Sequence, residues 1–156
     1  MMDFEQFLNE EHEKGTYVSA KFSAKTNKNL KEYAESLGLD PIKDFHATIV
    51  YSIETLDLDP GKSPIKVKEK GSIVGIKYLG EKDTEWRAVV LTIKSKILKE
   101  RFDHYVKAHG YKNKFPDYIQ HISLAYKPPE DLKLKTIKLP SFKIEFKEEV
   151  IEHLNK

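Results

Sequence analysis

Along residues 16–22 polar and apolar positions alternate, with Val18, Ala20 and Phe22 on one face and Tyr17, Ser19 and Lys21 on the other. That period of two predicts a half-buried β-strand. The pattern returns in Phe45-His46-Ala47-Thr48-Ile49-Val50-Tyr51-Ser52, where Phe45, Ala47, Ile49 and Tyr51 oppose His46, Thr48, Val50 and Ser52. It returns again in Gln120-His121-Ile122-Ser123-Leu124-Ala125-Tyr126, where Ile122, Leu124 and Tyr126 oppose His121, Ser123 and Ala125. On strict alternation Tyr51 and Tyr126 belong to the core. Further strands are predicted over residues 65–68, 72–79 and 86–93, with Gly80-Glu81-Lys82-Asp83-Thr84 as a hairpin turn. A last strand is predicted over 137–146, where Pro140 marks an edge or bulge. Residues 148–154 fit either a strand or a helix.

Helical signals fall between the strands. Residues 2–14 carry Phe4, Phe7 and Leu8 among acidic residues, a short amphipathic helix ending before Gly15. Thr26 or Asn27 caps a helix running to Leu37 and stopped by Gly38, and Ser95 caps another over 95–108 with Gly110 beyond it. Residues 54–64, rich in Asp, Pro, Gly and Ser, read as a loop. In order, these elements repeat: strand, helix and histidine strand over residues 17–51, then again over 88–126. The predicted class is α+β, a single domain over residues 1–156 with pseudo-two-fold halves at about 16–64 and 65–147. Both histidine strands line the cleft between the halves.

Composition narrows what such a cleft does. A chain of 156 residues, 39% hydrophobic and 33% charged, suits one soluble domain. No apolar run reaches membrane-span length and no signal-peptide layout opens the chain, so a cytoplasmic protein without a membrane partner is expected. There are no cysteines, which excludes disulfides, thiolate nucleophiles and Cys-ligated zinc. A net charge of +2 argues against coating long nucleic acid. Phosphate recognition, if present, is local.

Two imidazoles facing each other across a cleft suit in-line phosphodiester cleavage. One takes a proton from the attacking oxygen while the other gives one to the leaving oxygen, and an ordinary pKa of about 6.5 keeps both forms accessible near neutrality. Thr48 and Ser123 supply hydroxyl donors for the non-bridging phosphate oxygens. The candidate catalytic set is therefore His46, Thr48, His121 and Ser123, with no metal or other cofactor expected. Which histidine is base and which acid stays open.

His46-Ala47-Thr48 and His121-Ile122-Ser123 resemble the paired H-x-T/S motifs of the 2H phosphoesterase superfamily, with Ser in place of Thr in the second. That resemblance implies a bilobal, duplicated strand-helix-strand fold with two antiparallel sheets around a central cleft. It also implies a ribose 2′-hydroxyl nucleophile and a 2′,3′-cyclic phosphate that water may open. Within the superfamily, Gly15-Thr16-Tyr17-Val18-Ser19-Ala20-Lys21-Phe22 and Phe115-Pro116-Asp117-Tyr118 are most similar to the phage anti-CBASS nucleases. These degrade cyclic di- and trinucleotide alarm signals, which implies a host-cytoplasmic protein acting on a cyclic oligonucleotide. Two alternatives stand beside that function. One is RNA processing of the 2H type; the other is a nucleotide-binding sponge without catalysis, which would not need a matched acid and base.

Neighbouring residues complete the expected site. Tyr17 and Lys21 share the polar face of their strand, Tyr17 suited to a base or ribose and Lys21 to a phosphate. Trp86 is a candidate stacking platform, and Ala88, Val90 and Thr92 face the cleft beside it. Glu149, with Glu145 and Glu148 near it, is a candidate reader of a base edge. His12, His104, His109 and His153 are read as bystanders, since His104 and His109 lack the spacing of a helical zinc pair.

Overall fold

The computed structural model describes residues 15–52, 61–64, 70–109 and 120–154. Strand β1 (Gly15–Phe22), helix α1 (Ala24–Ser36) and strand β2 (His46–Ser52) form one strand-helix-strand unit. After β3 (Gly61–Pro64) and β4 (Ser72–Leu79), the same order recurs in β5 (Ala88–Lys94), α2 (Lys96–His109) and β6 (His121–Tyr126). A single 3₁₀ turn and β7 (Phe146–Leu154) follow. The predicted helix over residues 2–14 and strand over 65–68 lie outside the described residues.

Capping explains where the helices begin. Ser23, in extended backbone, accepts a hydrogen bond from the Thr26 amide at 3.2 Å, so α1 starts earlier than a Thr26 or Asn27 cap implies. Thr26, Leu30 and Ala34 recur every four residues and are its buried stripe. Gly38, at φ +76°, closes the turn after the helix in a conformation that other residues rarely adopt. Ser95 caps α2 as expected, accepting from the Leu98 amide at 3.3 Å, and Leu98 and Tyr105 are buried beneath it.

All strands join one antiparallel sheet of seven, in the order β3-β7-β1-β2-β6-β5-β4. This differs from the expected two sheets. The halves meet at a narrow seam, where Ala47 of β2 pairs with Ile122 of β6 and fuses them edge to edge. Two boundaries also shift. Residues 61–64, expected in a loop, pair as β3 with β7. The expected strand over 137–146 is irregular apart from an isolated bridge between Ile144 and Gly71. Pro140 has no amide to give a ladder, and the regular strand starts only at Phe146. That strand resolves the ambiguity over 148–154, because β7 lies between β1 and β3 with a paired neighbour on each side.

Within both units the register is the same. Lys21 pairs with His46 and Ser19 with Thr48; Thr92 pairs with His121 and Val90 with Ser123. Immediately after each pair the ladder slips by one, so that Val18 meets Val50 and Val89 meets Ala125. Ile49 and Leu124 are thus the extra residues of two equivalent β-bulges. Each bulge lets two consecutive residues, Ile49 with Val50 and Leu124 with Ala125, enter the hydrophobic core. Val50 and Ala125 therefore leave the histidine face to which strict alternation assigns them. Val18, Ala20, Phe22, Val89, Leu91 and Ile93 join them in one cluster with Leu30, Ala34, Leu98 and Tyr105, so both helices cover this face. Tyr17, Tyr51, Ala88, Val90 and Val150 are buried too, but outside that cluster. They belong to the opposite face, with the histidines.

Ile122, fully buried at the seam, is where this packing is most exposed to a cavity. Ile122→Ala is expected to cost about 3 kcal/mol, within the usual span for such truncations. Chemical denaturation checks this, and a loss below about 1 kcal/mol would mean that the seam is not held by packing.

Candidate active site

The seam places the two histidine motifs side by side. Because β2 and β6 run antiparallel through Ala47 and Ile122, His46 falls beside Ser123 and Thr48 beside His121. His46 and His121 are then diagonal neighbours, a relation that separates residues by about 7–8 Å in a regular ladder. The four expected catalytic residues form a quadrilateral on the face away from the helices. Its first strand neighbours are Lys21 and Ser19 on one side and Thr92 and Val90 on the other.

His46 is the buried member, only 5% exposed. Its Nδ1 lies 2.9 Å from the Asp44 carbonyl oxygen. A carbonyl only accepts, so Nδ1–H donates and Nε2 carries the lone pair. Burial pushes its pKa down to about 4, helped by the Lys21 charge and opposed by the hydrogen bond to Asp44; His121 lowers it slightly further. Lys21 is held by Asp44 through a 2.5 Å ion pair whose carboxylate side is well exposed. The structure thus brings Lys21 beside His46 as the shared polar face predicts. His121 is less buried than His46, so the two imidazoles sit in unlike surroundings.

Tyr17 takes a different place from a stacking residue. It is 3% exposed, and its hydroxyl lies 2.6 Å from Thr48 Oγ1, with its ring edge-on to His46 at 6.0 Å. Burial holds its pKa well above the usual phenol value, so it is neutral and available as a donor to Thr48. The bulges add a finding that alternation misses. Tyr51, paired directly with Tyr17 and 5.9 Å from it ring to ring, faces the histidine side rather than the core. Tyr126 pairs with Ala88, three residues beyond Ser123 on the same strand; burial raises the pKa of both tyrosines. The Thr48 hydroxyl therefore has the Tyr17 hydroxyl beside it. A bulge after the hydroxyl residue is the signal for this, and one sequence does not display it.

Glu149 does not join the site. It pairs with Ala20 on the helical face, where Arg101 grips it in bidentate fashion at 2.8 and 2.9 Å and the Tyr105 hydroxyl donates at 2.9 Å. The grip, mainly through its hydrogen bond, raises the Arg101 pKa, while burial pushes Tyr105 to about 12. This ion pair ties α2 to β7. On β7 the carboxylates sharing the histidine face are those of Glu148, paired with Lys21, and Glu152, paired with Tyr17, on either side of Val150. Glu152 goes unnoticed in the sequence because the segment fits helix and strand alike. Glu145 reaches Lys70 at 3.5 Å. Trp86 is half-buried in the turn ahead of β5, two residues before Ala88, rather than in the strand itself. Ala88, Val90 and Thr92 share the histidine face as expected, because each pairs with a residue of β6 that does. His153 bonds Thr16 at 2.9 Å and the exposed His104 ring packs on Tyr105, both away from the quadrilateral. The side chains of His12 and His109 lie outside the described residues. Among the described residues no cluster of three metal-binding side chains occurs, and no helix is long and apolar enough to cross a membrane.

Comparison with known proteins agrees along most of the chain. A family model described as anti-CBASS protein Acb1 matches residues 14–156. Proteins named anti-CBASS protein Acb1 are similar in sequence: that of Enterobacteria phage T4 is 32% identical over 129 residues, covering 81% of this chain and 78% of the relative. That of Salmonella phage S16 is 32% identical over 130 residues, with the same coverages of 81% and 78%. That of Escherichia phage RB16 is 31% identical over 116 residues, covering 72% of this chain and 63% of the relative.

The burial of His46 makes stability depend on pH in a defined direction. Its folded-state pKa of about 4 lies below the unfolded value of about 6.5, so the unfolded chain binds the proton first. The group has no effect above that window, and stability is lost as pH falls from about 6.5 towards 4. Denaturation midpoints measured across this range should fall more steeply for the native chain than for His46→Asn. Equal slopes would contradict a buried, neutral His46.

Proposed function

The chain belongs to the Acb1 family of anti-CBASS proteins, and on that premise we propose that it is a metal-independent phosphodiesterase. It hydrolyses 3′-5′ bonds of cyclic di- or trinucleotide second messengers, so that a phage evades CBASS immunity in the host cytoplasm. The observation that carries this is the seam: two His-x-hydroxyl strands with one register, set antiparallel so that each histidine lies beside the other strand's hydroxyl. Such a duplicated arrangement agrees with the 2H phosphoesterase pattern of the two motifs.

The proton inventory closes with the chain's own residues. His46 enters neutral, its Nδ1–H held by the Asp44 carbonyl and its Nε2 carrying the lone pair that acts as base. It takes the proton of the ribose 2′-hydroxyl while that oxygen bonds to phosphorus. The bond from phosphorus to the 5′-oxygen breaks, and the protonated imidazole of His121 supplies the proton that the leaving oxygen needs. Thr48 and Ser123 donate to the non-bridging oxygens, with Tyr17 orienting the Thr48 hydroxyl. The resulting 2′,3′-cyclic phosphate is opened by water with the two imidazoles in exchanged roles. Lys21, beside His46, adds positive charge next to the phosphate and disfavours protonation of His46 before substrate binds.

Incubation with EDTA and a panel of substrates tests this function. The panel holds 3′-5′ cyclic dinucleotides, 2′-5′ oligoadenylate and RNA ending in a 2′,3′-cyclic phosphate. Cleavage of the cyclic dinucleotides in chelator is expected, with His46→Ala or His121→Ala losing about a thousandfold in kcat, within the span of a single acid–base group. Cleavage of the terminal cyclic phosphate alone would favour RNA processing, and tight binding without turnover would favour a sponge. Undiminished turnover in the double histidine variant would overturn the mechanism.

A further inference from the structure

Lys77 is a cation on the histidine face that the proposed reaction does not use. It pairs with Val90 of β5, and Val90 pairs with Ser123 of β6, so the three residues share one face in one row across the sheet. The row runs on through the seam to His46, Lys21 and Glu148. Strands lie about 4.8 Å apart, which puts the Lys77 backbone about 10 Å from Ser123. Its four-carbon stem spans much of that distance, over a valine with no polar group of its own.

The two lysines of this row are in different states. Lys21 is tied to Asp44. Lys77 is half-buried, and no carboxylate among the described residues pairs with it. An ammonium only donates, and as a compact charge partly withdrawn from water it favours an anion. The next residue of β4 on this face is Gly75, whose added Cβ would meet Thr92 Oγ1 at 2.7 Å. The surface beside Thr92 and His121 is therefore free of a β4 side chain, while Lys77 stands at its border.

We propose that Lys77 is a specificity-determining residue that holds the second phosphate of a cyclic oligonucleotide while the first lies between His46 and His121. This rests on the phosphodiesterase reading above. A ring-closed dinucleotide carries two phosphodiesters a short distance apart, whereas a linear dinucleoside monophosphate carries one. Lys77 thus favours the ring.

Lys77→Met keeps the apolar stem and removes the charge, and Lys77→Arg keeps the charge. For each, kcat/KM is measured with a 3′-5′ cyclic dinucleotide and with a linear dinucleoside monophosphate, and the Kd of the cyclic compound is measured by calorimetry. The ratio of kcat/KM, cyclic over linear, should fall about 10- to 100-fold in Lys77→Met, the worth of one charge-assisted hydrogen bond, and recover in Lys77→Arg. An unchanged ratio in a folded variant, or equal losses on both substrates, would overturn the proposal. If the native chain binds the cyclic compound without cleaving it, the phosphodiesterase reading fails. A Kd weakened 10- to 100-fold in Lys77→Met would then still support the contact. Absence of both binding and cleavage would overturn the two together.

Discussion

One backbone pairing, Ala47 with Ile122, carries the arrangement on which everything else depends. Each half buries its own apolar face under helices, yet neither half alone places one histidine motif beside the other. The seam does so by geometry. Two antiparallel edge strands meeting at residues that follow each histidine must set histidine beside hydroxyl on both sides. Small Ala47 and fully buried Ile122 face the helices at this point, so the pairing is fixed by the same core that holds α1 and α2. Joining the edges also removes two exposed ladders that would otherwise invite unwanted strand pairing.

The matching bulges are the second constraint. A ladder slip after Thr48 and an equivalent one after Ser123 send Ile49 and Val50, and Leu124 and Ala125, into the core. The same slips return Tyr51 and Tyr126 to the histidine side. The result is a floor that sets the buried Tyr17 and Tyr51 near the half-buried Thr48, Ser123 and Tyr126. It orients donors that would otherwise rotate freely, as electrostatic stabilisation of a phosphate requires. The halves differ in what surrounds each histidine. His46 is buried, tautomerically fixed by Asp44 and faced by Lys21; His121 is more open and faced by Thr92. A duplicated frame thus carries two similar imidazoles with unlike neighbours.

Much of this was legible in the chain itself. Alternation identified β1, β2, β4, β5 and β6, and cap and glycine signals identified both helices, although α1 begins at the Ser23 cap rather than at Thr26 or Asn27. The recurrence of histidine and hydroxyl at a spacing of two singled out the four residues that the seam assembles. Lys21 and Tyr17 followed from their shared face, although Tyr17 touches Thr48 instead of presenting an open ring. The failures share a physical cause. Period-two reasoning assumes an unbroken ladder, so it put Val50 and Ala125 on the wrong face and Tyr51 in the core, whereas Tyr126 does pack against the core cluster. Glu149 went astray for a related reason: in a segment that fits helix or strand, nothing tells an outward carboxylate from one gripped by Arg101. The union of the halves into one sheet depends on a contact between residues far apart in the chain, which no local pattern encodes.

The central claim is that both histidine motifs hold the same phosphate. A 2′-deoxy cyclic dinucleotide lacks the proposed nucleophile and binds without turnover, so it reports the ground-state contact directly. Titrating it into the protein while following the imidazole nitrogen resonances of His46 and His121 by NMR gives the decisive measurement. Both imidazoles are expected to shift together and saturate at one equivalent of ligand. Movement of one imidazole alone, or of neither while the ligand binds, would contradict it.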